Sequence, residues 1–226
     1  MTAPPPAPSP APPLAPVVLE GAHVRLEPLA PAHLDALCEV GLDPALWALS
    51  LSRVATRDDM RRYLEAALDE RARGVSLPFA QVDRASGRVA GSTRFGNYEP
   101  RHRRVEIGWT WLAAPWQRTA LNTEAKRLLL AHAFEALGLN RVELKTDARN
   151  ARSRAAMRRL GAAEEGTFRR HMITDTGYVR DTVYFSVTAD EWPRVRAGLD
   201  ARLALGSPAA GVPPPGAAPA PNPEPD

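Results

Sequence analysis

The sequence predicts one mixed α/β domain in which strands lead, helices intervene and a hairpin closes the chain. Three stretches carry that prediction. Arg104–Leu139 reads as strand, short loop and long helix. Leu77–Val82 and Arg88–Tyr98 read as two strands about the Ser86-Gly87 turn. Gly166–Ile173 and Val179–Val187 read as a final hairpin about Asp175–Gly177. No internal repeat interrupts the order.

Composition sets the domain limits. Of the 23 prolines in 226 residues, eight lie within Met1–Pro16 and eight within Pro208–Pro225. Residues 1–16 and 206–226 are therefore expected to be disordered Pro/Ala tails, and 17–205 to be the folded domain. That length buries a real core. The net charge of +3 suits an anionic small molecule and is too weak to indicate nucleic acid. The single cysteine, Cys38, excludes an internal disulfide and fits a cytoplasmic location. The N-terminus lacks a basic and apolar leader pattern. No run of 18 apolar residues exists, so no membrane partner is expected.

In order, His23–Leu29 reads as a strand, and Pro31 opens a helix to about Val40. Leu42–Val54 reads as a short helix or extended piece over a pocket. Thr56 is a candidate N-cap for a helix ending at Gly74, with Asp58 and Asp59 favouring its positive end. Asn97–Arg103 is a polar connection. In the strand from Val105 to Trp111, Val105, Ile107, Trp109 and Trp111 alternate against Glu106, Gly108 and Thr110. The loop Leu112–Ala120 leads to a helix from about Leu121 to Leu137, stopped at Gly138. At 100° per residue, Glu124, Arg127, Ala131 and Glu135 form its one narrow strip. The rest is apolar, so the helix should be mostly covered. Its N-terminus has unpaired N–H groups, which can hold a phosphate, and Arg118 stands beside it. Arg141–Asp147 reads as a strand, Asn150–Gly161 as a helix, and Asp190–Leu205 as a short helix disturbed by Pro193.

The runs VEIGWTWL, QRTALNTEAK and HAFEALGLNRVELKTDARNARSRAAMRRLGA resemble the cofactor-binding core of the GNAT N-acetyltransferases, in the RimJ/RimL-like branch. The resemblance spans roughly Val17 to Leu203 and is most specific over Glu106–Gly161. It implies the GNAT fold, a mostly antiparallel, splayed mixed sheet with helices on both faces. It also implies acetyl-CoA as co-substrate and direct transfer to an amine in a ternary complex. By the same resemblance, Trp109, Thr110, Trp111 and Leu112 hold the pantetheine arm with their backbone. Gln117, Arg118, Thr119, Ala120, Leu121, Asn122 and Thr123 wrap the pyrophosphate, and Asn150 contacts the cofactor. The family's loop carries glycines where Ala120 and Asn122 stand here. Asn tolerates positive φ, and Ala leaves the backbone accessible.

Glu106 is the candidate base and Ser153 the candidate group that meets the leaving thiolate. The acid that many relatives place seven residues after the asparagine is replaced by Met157, which has no proton to give. His132 lies on the apolar arc and reads as core; His171 is placed to face the acceptor. No His/Cys spacing suits a metal. The acceptor implied is a primary amine, with a protein or peptide α-amino group favoured. The rivals are a small amine or antibiotic, and a regulatory module that binds acyl-CoA without turnover. Monomer and homodimer are equally compatible with the sequence.

Overall fold

In the computed structural model, residues 9–205 are described. The expected tail 206–226 and the first eight residues of the expected tail 1–16 lie outside the described residues. Eight strands form one sheet in the order β1-β2-β3-β4-β5-β6-β8-β7. They are β1 Leu19–Glu20, β2 Val24–Pro28, β3 Leu77–Asp83, β4 Val89–Glu99, β5 Arg104–Leu112, β6 Arg141–Asp147, β7 Ala163–Ile173 and β8 Val179–Thr188. Every neighbouring pair is antiparallel except β5 and β6. Among the described residues the five α-helices are α1 Leu34–Gly41, α2 Arg57–Ala72, α3 Ala120–Ala131, α4 Ala151–Leu160 and α5 Trp192–Ala204. The expected mixed, mostly antiparallel sheet with helices on both faces is what forms.

Two cores follow from strand alternation. Val24, Leu26, Phe79, Phe95, Val105, Ile107, Val142, Leu144, Val183 and Phe185 turn one sheet face toward α3, α4 and α5. Ala80, Val82, Val89 and Trp111 turn the other face toward α1 and α2. Thr56 caps α2 as expected, accepting from the Asp59 amide while Asp59 reaches back to the amides of Ala55 and Thr56. The final turn of the central helix departs from α geometry. His132–Ala136 is a π turn, with the Leu137 amide donating to the His132 carbonyl. Gly138, at φ +60°, ends it as the sequence predicts.

Glu124 is not the solvated charge its place on the polar strip suggests. Its carboxylate accepts the backbone amides of Ala22, His23 and Val24 at 2.8, 2.6 and 2.8 Å. This ties the β1–β2 turn to α3. Gly21 is required there, because a Cβ would stand 2.2 Å from that carboxyl carbon.

The expected boundary at residue 17 also moves. Ala11 and Leu14 are buried in the main core. The Ala11 amide donates to the Pro100 carbonyl, Tyr98 donates its hydroxyl to the Pro12 carbonyl, and Arg103 donates to the Ser9 carbonyl. Prolines leave carbonyls unpaired, so an extended Pro/Ala strand can be held by side chains that donate. The folded unit therefore takes in residues 9–16 as well. A chain beginning at Val17 is expected to melt a few degrees below one beginning at Ser9, since burying Ala11 and Leu14 contributes roughly 2 kcal/mol. Differential scanning calorimetry of the two chains checks this; equal melting temperatures would return the boundary to residue 17.

Candidate active site

The site is built where β5 and β6 part. They pair only from Arg104–Glu106 to Arg141–Glu143. Beyond Glu106, β5 runs on along β4 while β6 follows β8. The backbone of Ile107–Leu112 therefore has no strand on its β6 side. A cleft of about 1610 Å³ opens along this fork. Trp109, Thr110, Trp111, Leu112, Gln117, Arg118, Thr119, Ala120, Asn122, Thr123, Asn150 and Ser153 all line it, and so does Glu106. Of the residues singled out from the sequence, Leu121 alone faces elsewhere, into the main core.

One feature of β5 contradicts the sequence pattern. Trp109 and Trp111 do not share a side with Val105 and Ile107. Opposite Thr93, β5 carries an extra residue, and Trp109 sits at φ +50°. A one-residue bulge reverses the side of everything after it. Trp109 and Trp111 thus pack under α1 and α2, while Leu112 joins the α3 side. Gly96 makes room for the turn, since a Cβ there would lie 2.3 Å from the Trp109 ring. Arg94 lies between that ring and Tyr63, 4.9 and 5.2 Å from their centroids, and donates to Glu70 at 2.9 Å.

The bulge also aims Thr110 at α3. Lys126 donates to the Thr110 hydroxyl at 2.6 Å and lies 3.5 Å from that of Thr93. No carboxylate reaches it among the described residues. Burial pulls the Lys126 ammonium down to about 7.

Glu106 is 7% exposed and sits at the fork. Its Oε2 accepts from Asn97 Nδ2 at 2.6 Å and from Lys145 Nζ at 2.9 Å. Its Oε1 has no protein donor among the described residues. Burial acts to lower the Lys145 pKa, but Glu106, Tyr184 and Glu143 outweigh it and hold the ammonium above its ordinary value. Tyr184 covers Lys145, 4.7 Å from Nζ to the ring centre, and its hydroxyl lies 3.4 Å from His171 Nε2. His171 thus lines the cleft.

At the other end, the loop before α3 closes without glycine. Arg118 itself takes the left-handed conformation, at φ +63°, and Ala120 is already helical. The conformational freedom expected of positions 120 and 122 is therefore needed at 118. Thr119 caps α3, accepting from the Leu121 amide at 3.3 Å and donating to the Trp116 carbonyl at 2.9 Å. Helix geometry leaves the remaining first-turn amides without internal partners. Gln117 spans the loop, donating to the Leu112 carbonyl at 2.7 Å and accepting from Arg152 at 2.9 Å. That contact ties Arg152, an exposed residue of α4, to the loop. Arg154 and Arg158 instead bind Glu164. Asn150 caps α4 by accepting the Ser153 amide at 2.9 Å. The Ser153 hydroxyl makes no protein hydrogen bond among the described residues.

Asn97, Lys145, Lys126 and Arg180 line the cleft and were not singled out from the sequence. For Lys145 a signal existed. Glu106 pairs with Glu143 across a parallel ladder, so Lys145, two residues on, shares the side of Glu106.

An acetyl thioester of a long phosphorylated arm fits this cleft. Its strand wall is unpaired, one end is a helix N-terminus beside Arg118, and Asn122 Oδ1 lies buried there without a partner. Among the described residues, no helix is long and apolar enough to cross a membrane, and no three His, Cys, Asp or Glu side chains are grouped to hold a metal.

The acetyltransferase (GNAT) domain family model matches residues 23–163. The "Putative ribosomal N-acetyltransferase YdaF" of Bacillus subtilis (strain 168) is 36% identical over 106 residues, which cover 47% of this chain and 57% of that protein. A crystal structure of a GCN5-related N-acetyltransferase from Brucella melitensis is 33% identical, with TM-score 0.79, covering 85% of this chain and 88% of that one. The Salmonella typhimurium acetyl transferase that modifies the N-terminal serine of ribosomal protein L7/L12 is 18% identical. It shares the fold, with TM-score 0.68 over 76% of this chain and 99% of that one.

Proposed function

We propose that this chain, which belongs to the GNAT acetyltransferase family, is an N-acetyltransferase that moves acetyl from acetyl-CoA to the α-amino group of a protein or peptide. The observation that carries the reading is the fork itself: an unpaired strand leads from an anion-ready helix end to a held carboxylate, Glu106. The RimJ/RimL-like branch and a protein acceptor are supported by the ribosomal N-acetyltransferase name of the relative YdaF. A cytoplasmic location belongs to the same reading.

Acetyl-CoA brings an activated carbonyl and a thiolate leaving group. The chain has to present a neutral amine, hold the thioester and supply a proton at sulfur. Glu106 Oε1 takes the amine proton, directly or through one water, while Asn97 and Lys145 hold Oε2 so that the carboxylate cannot swing away. The amine nitrogen bonds to the carbonyl carbon, and the carbon–sulfur bond breaks. The Ser153 hydroxyl would donate a hydrogen bond to the departing thiolate, which would take its proton from water. Trp109, Thr110, Trp111 and Leu112 hold the arm. For Leu112 this falls to the amide, since Gln117 already occupies the carbonyl. Gln117, Arg118, Thr119, Ala120, Asn122 and Thr123 receive the pyrophosphate, and Asn150, which caps the first turn that carries Ser153, contacts the arm. Leu121 stands apart from this set, since its side chain faces the core and Thr119 already takes its amide.

Arg118→Glu tests the pyrophosphate assignment. It reverses an exposed charge at the helix start and is expected to weaken acetyl-CoA about tenfold or more, by removing one attraction and adding one repulsion. Isothermal calorimetry reads the affinity. An unchanged value would place the phosphates elsewhere.

A further inference from the structure

The cleft face of the β6–β8 sheet carries a row of polar and charged side chains: Glu143, Lys145 and Asp147 on β6, with Arg180, Thr182 and Tyr184 on β8, all of them buried except Lys145 and Tyr184, which are half-buried. Its anions are already matched. Glu143 is paired by Arg104, Arg141 and Lys145. Asp147 accepts Nε, Nη2 and the backbone amide of Arg149 at 3.1, 2.8 and 2.9 Å. Glu106 is held by Lys145 and Asn97.

Arg180 is left over. It is 5% exposed, and its Nε donates to Thr182 Oγ1 at 3.0 Å. Among the described residues its two terminal nitrogens meet no acceptor and no carboxylate within ion-pair distance. They are not sealed off, and the side chain lines the same cleft as Glu106. The contrast with the other deeply buried cations is informative. Arg94 has Glu70 at 2.9 Å. Lys126 can shed its proton near pH 7. A guanidinium cannot. Burial does pull Arg180 below its ordinary value, opposed by Asp147, Glu106 and Tyr184. A permanent charge so little exposed, with no anion at ion-pair distance among the described residues, favours an anionic ligand in the cleft. A fork of two free N–H edges facing a cleft matches a carboxylate bidentately.

We propose that Arg180 is a subsite for a carboxylate on the acceptor, so that the preferred acceptor is an amine carrying an acidic group near its reactive nitrogen. This rests on the acceptor reading above and narrows it. The carboxylate has two possible sources: the α-carboxylate of a free amino acid, and an Asp or Glu side chain near a peptide N-terminus.

The experiment is calorimetric binding to the CoA-saturated protein. One arm compares serine with serinamide. The other uses serine-led tripeptide amides with Asp at position two or three, each against its Asn counterpart. In wild type, at least one acid is expected to bind about tenfold or more tighter than its neutral partner, as a charge-assisted pair requires. Arg180→Gln should bring that ratio to about one, and Arg180→Lys should keep part of it. Both should retain wild-type CoA affinity. The arm that shows the preference identifies the source. No acid preference in wild type overturns the proposal whatever the variants do. A loss of CoA affinity in Arg180→Gln with the ratio unchanged also overturns it, by giving Arg180 to the cofactor. Thiol release with the same panel is read separately. An intact acid preference without turnover would keep the subsite and remove the transfer reading.

Discussion

Glu106→Gln is expected to lower kcat by about 10²-fold or more while leaving acetyl-CoA affinity unchanged. The amide keeps the size of the carboxylate but cannot accept a proton from the acceptor. The amine is mostly protonated near neutral pH, so the step that frees its lone pair bears directly on turnover. Ser153→Ala is the contrast. A thiolate leaves without much help, because thiols ionise near pH 8–9, roughly. Losing the Ser153 hydroxyl should therefore cost on the order of tenfold. Met157, at the position of the usual acid, is consistent with a site that places its main demand on the base. Steady-state kinetics on an accepted amine reads both variants. Near-wild-type turnover in Glu106→Gln would remove Glu106 from the base role.

The second large effect is on stability. Lys126 titrates near 7 in the fold, well below the ordinary value of 10.5, because it is buried. The fold thus disfavours the charged form. Below pH 7 both folded and unfolded chains carry the proton, and the folded state bears the whole penalty. Between about 7 and 10.5 the unfolded chain binds more protons, so stability rises with pH. Above that window the penalty is gone. Lys126→Met should therefore stabilise the protein at pH 7 by up to about 5 kcal/mol. The gain should shrink steadily toward pH 10. Thr93 and Thr110 keep each other as partners at 2.8 Å, so no hydroxyl is stranded. Urea unfolding at three pH values measures it. A gain that does not vary with pH would mean that Lys126 is paired and charged throughout.

Much of the fold was legible because local signals agreed. The Thr56 cap, the Gly138 stop, the hairpins and the strand–helix order each rest on residues within a few positions of one another. What was illegible depended on a residue count or on distant partners. The alternation of β5 holds through Ile107 and then reverses, because the extra residue at Trp109 is invisible to a period of two. Its room comes from Gly96, on another strand. Glu124 looked solvated because the three amides it binds lie about a hundred residues earlier. Ala11 and Leu14 were hidden in a proline-rich composition that usually signals no packing.

The candidate site divides in the same way. Trp109–Leu112 and Gln117–Thr123 lie along one cleft because they are close in sequence, and of these residues Leu121 alone turns away from it. The surroundings of Glu106 were not legible. Asn97 and Lys145 reach it from β4 and β6, Tyr184 and Arg180 line the same cleft from β8, and only the sheet order brings those strands together. The loop illustrates both cases. Its position was readable, but the left-handed residue proved to be Arg118 rather than either residue at the expected glycine positions.

The central claim is that the β5–β6 fork takes acetyl-CoA and hands its acetyl group to an amine. Initial rates of free-thiol release, with acetyl-CoA and a peptide amine both varied, test it most directly. The account predicts release that requires both substrates, intersecting double-reciprocal lines from a ternary complex, and loss of the rate in Glu106→Gln. Saturable acetyl-CoA binding with no thiol release above buffer for any amine would contradict it, leaving a module that binds the cofactor without using it.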